Sequence, residues 1–318
     1  MNLPTLLAHR LAERAHERRW LIDELWADEA VGIVGGEPKC CKSFLALDMA
    51  VSVACGVPCL RRFAPAQTGR VLLFAAEDAL HVVRQRLAGI AAAAGRELVD
   101  LDIHVITAPS VRLDVERDRD ALAETIAELR PRLLVLDPFV RLHRIDENVS
   151  GEVAPLLAYL RELQRRFHLA VVLVHHARKG GAKLRAGQAL RGSSEFHAWG
   201  DSNLYLRRHG EQLTLSVEHR AAASITAVSV QLVVDGDAVA LATVDREPVP
   251  SAPASLAITR PTIAETIEAQ LAAAASPLTA AALRRRCKAR NATVTAALAD
   301  LVAAGRVRKD PTGYVISR

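Results

Sequence analysis

Along the middle of the chain, apolar residues fall in short unbroken runs, each followed by a longer stretch with helical spacing. The pairs are Val31–Gly35 then Ser43–Ala54, Arg70–Ala76 then Leu80–Ala93, Ile103–Thr107 then Val115–Leu129, and Leu133–Asp137 then Gly151–Phe167, with Leu169–Val174 closing the series. Strands look like this when helices cover both faces of a sheet, because no side then needs polar residues. The alternation predicts an α/β fold with a doubly wound, mostly parallel sheet. Further on, Asn203–Arg207, Gln212–Val217, Ala227–Val234 and Val239–Val244 are shorter runs between polar turns, expected to extend that sheet.

The flanks read differently. Leu7, Leu11, Ala12 and Ala15 recur at helical spacing among charges, which predicts an N-terminal helix within residues 1–19. The tract "REPVPSAPASLAITRP" has no periodicity and is rich in Pro, Ala and Ser, so a linker is expected over 246–258. Beyond it, Thr262–Ala274, Thr279–Cys287 and Thr293–Ala304 read as helices, and "GRVRKDPTGYVIS" as two short strands about a Pro-Thr-Gly turn. Three helices and a hairpin form the pattern of a winged helix. The expected division is therefore an α/β domain over 20–245 and a winged-helix domain over 259–318. Domains of that shape bind duplex DNA or dock a partner protein, and the pattern leaves both open.

Composition narrows the class. With 318 residues, half of them hydrophobic, the chain can build one large core and a second small one. Its apolar stretches are broken by charges, and its N-terminus lacks a compact apolar segment, so a cytoplasmic protein without a membrane partner is expected. Five cysteines without regular spacing fit a reducing compartment and no disulfides. The formal charge is +5, yet from Leu256 onward ten Lys/Arg face four Asp/Glu, leaving 31 basic and 32 acidic residues in the rest. That asymmetry points to DNA at the tail, through Arg284, Arg285, Arg286, Lys288 and Arg290, or else to a solvated basic helix face. A second basic stretch, "ARKGGAKLRAG" with Arg178, Lys179, Lys183 and Arg185, is a candidate track for a single strand or an exposed basic loop.

Candidate chemistry gathers at strand ends. "GEPKCCKS" runs from Gly36 through Glu37, Pro38, Lys39, Cys40 and Cys41 to Lys42 and Ser43. It has the form of a phosphate-binding loop for ATP, whose second glycine is replaced by Cys41. In such a loop backbone N–H groups and a helix N-terminus converge on phosphate oxygens, Lys adds charge and Ser binds Mg2+. A residue at position 41 needs a backbone conformation that glycine accepts most readily, and thiols beside Lys42 at a helix N-terminus are expected to oxidise easily. Asp137 ends "RLLVLD", where a carboxylate holds the magnesium shell or caps a helix. Glu77 and Asp78 end "VLLFAAED", where a carboxylate orients an attacking water or complements a helix dipole. His175 and His176 end "AVVLVHH", placed to sense a terminal phosphate, with at least one of the pair expected in the core. Open α/β sheets bind ligands at the carboxyl ends of their strands, so four such ends reinforce one another. Cys55 and Cys59 have no second pair nearby and read as core positions rather than metal ligands.

From about Trp20 to Arg220 the chain resembles the RecA-like ATPases of the RepA group, hexameric helicases of plasmids, and more distantly the DnaB-type replicative helicases. "GGEPKCCKS", "AAEDALHVVRQRL", "LDPFVRLHRIDENVSGEVAPLLAYLREL", "LVHHARKGG" and "LRGSS" carry the resemblance, and Arg141, His143, Glu147, Asn148, Ser150 and Gly151 are its most specific residues. The resemblance implies a homo-oligomeric ring, a hexamer, with ATP between subunits. It further implies Glu77 as general base, Asp137 as metal-shell ligand and an arginine supplied by the neighbour. After "RGSS" the spacing reaches Asp201 rather than Arg, which leaves Arg191, Arg207 and Arg220 as candidates; Arg220 resembles the strand-borne arginine of DnaB-like rings. Two functions follow as expectations: an ATP-driven DNA motor of a mobile element, helicase or helicase-like, or an ATP-dependent switch that recruits a partner through its winged helix without unwinding DNA.

Overall fold

The computed structural model describes residues 3, 5–10, 20–176, 195–210, 212–244, 263–274, 276–287 and 291–316. The chain divides into two compact units, Met1–Asp245 and Arg246–Arg318. In the first, a small hairpin of β1 (Trp20–Ile22) and β2 (Trp26–Ala27) precedes β3 (Val31–Gly36), α1 (Lys42–Cys55), β4 (Val71–Ala75), α2 (Leu80–Ala93), β5 (Ile103–Val105), α3 (Glu116–Leu129) and β6 (Leu133–Asp137). There follow α4 (Ser150–Phe167), β7 (Ala170–His176), the short α5 (Glu195–Trp199), and β8 (Ser202–His209), β9 (Gln212–His219), β10 (Ile225–Asp235) and β11 (Ala238–Thr243). Of the expected N-terminal helix, Ala8–Arg10 is a single 3-10 turn, and residues 11–19 lie outside the described ones.

Among the described residues nine strands form one sheet in the order β11-β10-β9-β8-β3-β7-β6-β4-β5. β3 runs parallel to β7 and β8, β4 to β5 and β6, and β6 to β7. β8 through β11 pair antiparallel. The expectation of a mostly parallel α/β sheet extended by the later strands is borne out.

The unbroken apolar runs are explained by two cores, one on each face. Because side chains alternate along a strand, Val71, Leu73, Leu133, Val135, Val172 and Val174 join α1 and α2 in one core. Their neighbours Leu72, Phe74, Leu134, Leu136, Val171 and Leu173 meet α3 and α4 in the other. Along β9, buried positions instead alternate with partly exposed ones, as in a sheet covered on one side. Asp48, buried within α1, accepts bonds from Leu60 N (2.6 Å), Arg61 (2.7 Å) and Cys59 Sγ (3.2 Å). This ties the segment after α1 to the helix, and it makes Cys59 a buried thiol rather than a metal ligand.

The second unit contains α6 (Ile263–Ala272), α7 (Ala280–Cys287), α8 (Asn291–Ala303) and a hairpin of β12 (Val307–Asp310) with β13 (Gly313–Ile316). Ile267, Leu271, Leu283, Val294, Leu298, Leu301 and Val307 form its core. Leu278, between α6 and α7, exchanges both backbone hydrogen bonds with Tyr314 (3.1 and 2.9 Å), adding a third position to the hairpin. The approach is so close that a Cβ at Gly313 would lie 2.7 Å from the Leu278 carbonyl oxygen.

Candidate nucleotide site

The segment from Gly36 to Ser43 joins the end of β3 to the start of α1. Gly36 has φ +155°, and a Cβ there would meet the Leu206 carbonyl oxygen at 2.4 Å and Cys40 Sγ at 2.6 Å, so the turn admits no side chain. Cys41 stands before the first turn of α1 with φ 64° and ψ 27°, in the left-handed region that glycine enters without a Cβ penalty. Its carbonyl accepts from Leu45 N at 3.0 Å, which locks this conformation into the helix start. Lys39 is also left-handed, with φ 64°. Lys42, buried, donates from Nζ to the Glu37 carbonyl at 2.8 Å.

An open cleft of about 290 Å³ lies over this loop, lined by Lys39–Phe44 together with Glu77, Arg86, Asp137 and His176. The register brings these ends together: Gly36 pairs with His176, and Ala75 with Asp137. Asp137 is buried and hydrogen-bonded to the Ser43 hydroxyl; burial pushes its carboxyl up to about 6, with Asp78 and Glu77 adding to the rise and Ser43 and Lys42 opposing it. A desolvated carboxylate bonded to a hydroxyl fits magnesium, which takes one or two protein oxygens and completes its shell with waters and phosphates. Among the described residues no group of three or more His, Cys, Asp or Glu forms a metal cage of its own.

Other candidates divide between this cleft and elsewhere. His175 and His176 are adjacent on a strand and therefore face opposite sides. His176 lines the cleft, whereas His175 is 1% exposed and stacks on Phe196 at 4.3 Å, with Phe139 edge-on at 5.9 Å. His175 is thus a core residue. Cys40 also departs from expectation: it is fully buried, and desolvation pushes its thiol up despite Lys42, which disfavours the reactive thiolate. Cys41 is half-buried, with Arg208 Nη2 at 3.8 Å from its sulfur.

Arg220 lies far from the cleft of its own chain. β8 is level with Gly36 at Leu206, and β9 returns antiparallel so that His219 pairs with Ser202; Arg220 is therefore roughly 17 Å back along the strand direction. It bonds the carbonyls of Ala198 and Trp199 and ion-pairs with Asp201 at 3.4 Å. Asp201 is also held by Arg161. Arg191, Arg178, Lys179, Lys183, Arg185, Lys288 and Arg290 lie outside the described residues, while Arg284, Arg285 and Arg286 are exposed in the last turn of α7.

Sequence reasoning gave Arg86 no place, and it named Arg141, His143 and Glu147 only as marks of the resemblance, without a role. Arg86, from α2, ion-pairs with Asp78 and lies over the Phe44 ring at 5.6 Å. Arg141 donates from Nε to Glu77 Oε1 at 3.1 Å. His143 and Glu147, both buried, form a pair at 3.4 Å in the segment leading to α4. Neither pair is announced locally: Asp78 lies before α2 and eight residues from Arg86, and Arg141 is 64 residues from Glu77.

A glycine-dependent strand–loop–helix turn facing carboxylates from two parallel strand ends defines a P-loop nucleotide-binding domain. Residues 1–182 match the AAA domain family, and the chain belongs to that family. Its fold is similar to that of the RadB recombinase, at 15% identity over 65% of this chain and 88% of the recombinase, TM-score 0.49. It is also similar to a DnaB-like replicative helicase, at 12% identity over 67% of this chain and 57% of the helicase, TM-score 0.52. These are likenesses of fold, and the match spans little more than half of the helicase. No helix among the described residues is long and apolar enough to cross a membrane.

Proposed function

We propose that the chain is a magnesium-dependent ATPase that acts as an oligomeric motor on DNA, a helicase-like replication factor of the RepA kind. The observation that carries the reading is the bond between Ser43 and the buried Asp137, beside Lys42 and Glu77 in one cleft. Lys42 and the loop N–H groups would bind the phosphates, Ser43 and Asp137 would hold Mg2+, and His176, lining the same cleft, would meet the terminal phosphate. When bound, the magnesium supplies charge to the phosphate oxygens. In the reaction a water oxygen bonds to the terminal phosphorus, the bond to the bridging oxygen breaks, ADP leaves, and the water proton passes through Glu77 to solvent.

The DNA half of the proposal is supported by the fold likeness to a DnaB-like replicative helicase and by the exposed Arg284, Arg285 and Arg286. The order of helices and hairpin in the second unit, with Leu278 paired to Tyr314, supports a winged helix that meets duplex DNA or a partner protein. A hexameric ring would bring an arginine of one chain to the nucleotide of the next.

One observation favours the switch reading instead. Arg220 is engaged by Asp201 and two carbonyls of its own chain, so a ring that needs it in trans must first break those contacts. Strand displacement on forked DNA, with ATP and with a non-hydrolysable analogue, separates the two: a motor unwinds with ATP alone, and a switch does not unwind. Underlying both, Lys42→Ala is expected to abolish ATP binding by calorimetry. Absence of wild-type binding at millimolar ATP, where a dissociation constant corresponds to only about −4 kcal/mol, would remove the nucleotide reading.

A further inference from the structure

The two adjacent carboxylates at the end of β4 are sorted by arginines from different elements. Asp78 is paired with Arg86 of α2, while Glu77 is paired with Arg141, from the 3-10 turn Phe139–Arg141 just after β6. We propose that Arg141 is a positioning residue for Glu77, holding the carboxylate that directs the attacking water while Arg86 withholds Asp78 from that task. This rests on the hydrolytic reading of the cleft.

Glu77 is an exposed side chain at a strand end, 42% accessible. Untethered, it would sample several rotamers and lose that freedom each time it oriented a water. A guanidinium suits the tether, because it stays charged and presents its donors in a rigid fork, so less freedom is lost per bond formed. The base of the tether is firm. Phe139 in the same turn is fully buried and packs on His143, His175 and Phe196. Arg141 N and Leu142 N bond back to Pro138 and Phe139 at 3.1 and 2.8 Å. The pair therefore fixes Glu77 to the end of the strand that carries Asp137, already adjacent through the Ala75–Asp137 register.

Arg141 is itself 60% exposed, and solvent-screened ion pairs add little to folding. Its loss should therefore appear in turnover rather than in stability. The test is magnesium-ATP hydrolysis, steady-state and single-turnover, on the full chain carrying Arg141→Gln, Arg141→Lys, Glu77→Gln or Glu77→Gln with Arg141→Gln. Arg141→Gln is expected to lower kcat about tenfold, a barrier change of about 1.4 kcal/mol, with KM unchanged within about twofold and an unaltered melting temperature. Arg141→Lys should recover part of kcat, and Arg141→Gln should add nothing in the Glu77→Gln background. The same loss in both backgrounds, or a raised KM at full kcat, would overturn the positioning role. If the wild type hydrolyses ATP and Arg141→Gln matches it, this role alone fails; if the wild type binds ATP without hydrolysing it, the hydrolytic reading fails and takes this role with it.

Discussion

Replacing Cys41 by glycine and, separately, by alanine divides a backbone cost from a side-chain contribution. At φ 64° and ψ 27° an L-residue places its Cβ against the following carbonyl oxygen, at roughly 1–2 kcal/mol. The bond from Leu45 N to the Cys41 carbonyl holds that geometry in the first turn of α1, so the cost is drawn from folding stability. Glycine removes the clash but gives the unfolded chain more freedom, worth about 0.4–1 kcal/mol against it. Alanine keeps the clash. Both variants lose the sulfur and its approach to Arg208, so that contribution cancels between them. The difference left is about 1 kcal/mol in favour of glycine, or about 2–4 °C in melting temperature for a unit of this size.

The assay is thermal unfolding of wild type, Cys41→Gly and Cys41→Ala under one set of conditions, with denaturant midpoints if heating is irreversible. Glu124, exposed within α3, supplies the control, because in a helix interior alanine beats glycine by about 1 kcal/mol. The expected result is an inversion of order between the two positions. An alanine variant at 41 that melts level with or above the glycine variant would refute the left-handed assignment and the reasoning built on it.

Asp137 carries a pH signature: raised from 3.8 to about 6, its carboxyl ionises first in the unfolded chain, so stability should fall as pH rises from about 4 to 6 and level off above, a cost on the order of 3 kcal/mol. Asp137→Asn should remove that slope and raise the melting temperature at pH 8 while impairing magnesium-dependent activity; unchanged pH dependence would show that another group titrates. Replacing Arg284, Arg285 and Arg286 together by glutamine should weaken full-chain binding to duplex DNA and flatten its log–log salt slope by about 0.9 for each phosphate that is no longer neutralised. An unchanged slope would remove that face of α7 from the interface.

What could be read from the sequence was what neighbouring residues encode. Leu133–Asp137 coincides with β6 because an apolar run with both faces buried has sharp ends, and Leu80–Ala93 with α2 because its buried Val83, Leu87, Ile90 and Ala91 recur at helical spacing. β8 reaches Ser202–His209, past the expected Asn203–Arg207 into Arg208 and His209, since backbone pairing with β9 does not require apolar side chains. The phosphate loop could be recognised because its residues are consecutive, and strand alternation set His175 and His176 on opposite sides without saying which of them enters the core. The location of Arg220 could not be read, because hydrophobicity does not state strand direction: only the antiparallel return of β9 carries it to the far end of the sheet. The sorting of Glu77 and Asp78 was equally hidden, since it depends on which arginine each strand end meets.

That sorting follows from the parallel half of the sheet itself. Strands that all run one way finish at one edge, so the acids that end β4 and β6 are forced together there with the loop cations. Glu77 and Asp78 each meet an arginine, and what remains is Asp137, facing Lys42 and Ser43 and shifted upward chiefly by its burial, with the two neighbouring carboxylates adding to the cost of its charge. Under the proposed function, a divalent cation with nucleotide phosphates would reverse that balance, because the cation would favour the ionised carboxylate and Lys42 with the loop N–H groups would meet the phosphates. The edge is least comfortable at the one carboxylate of these three without an arginine of its own, and that is the position where, on the proposed function, a magnesium nucleotide would gain most.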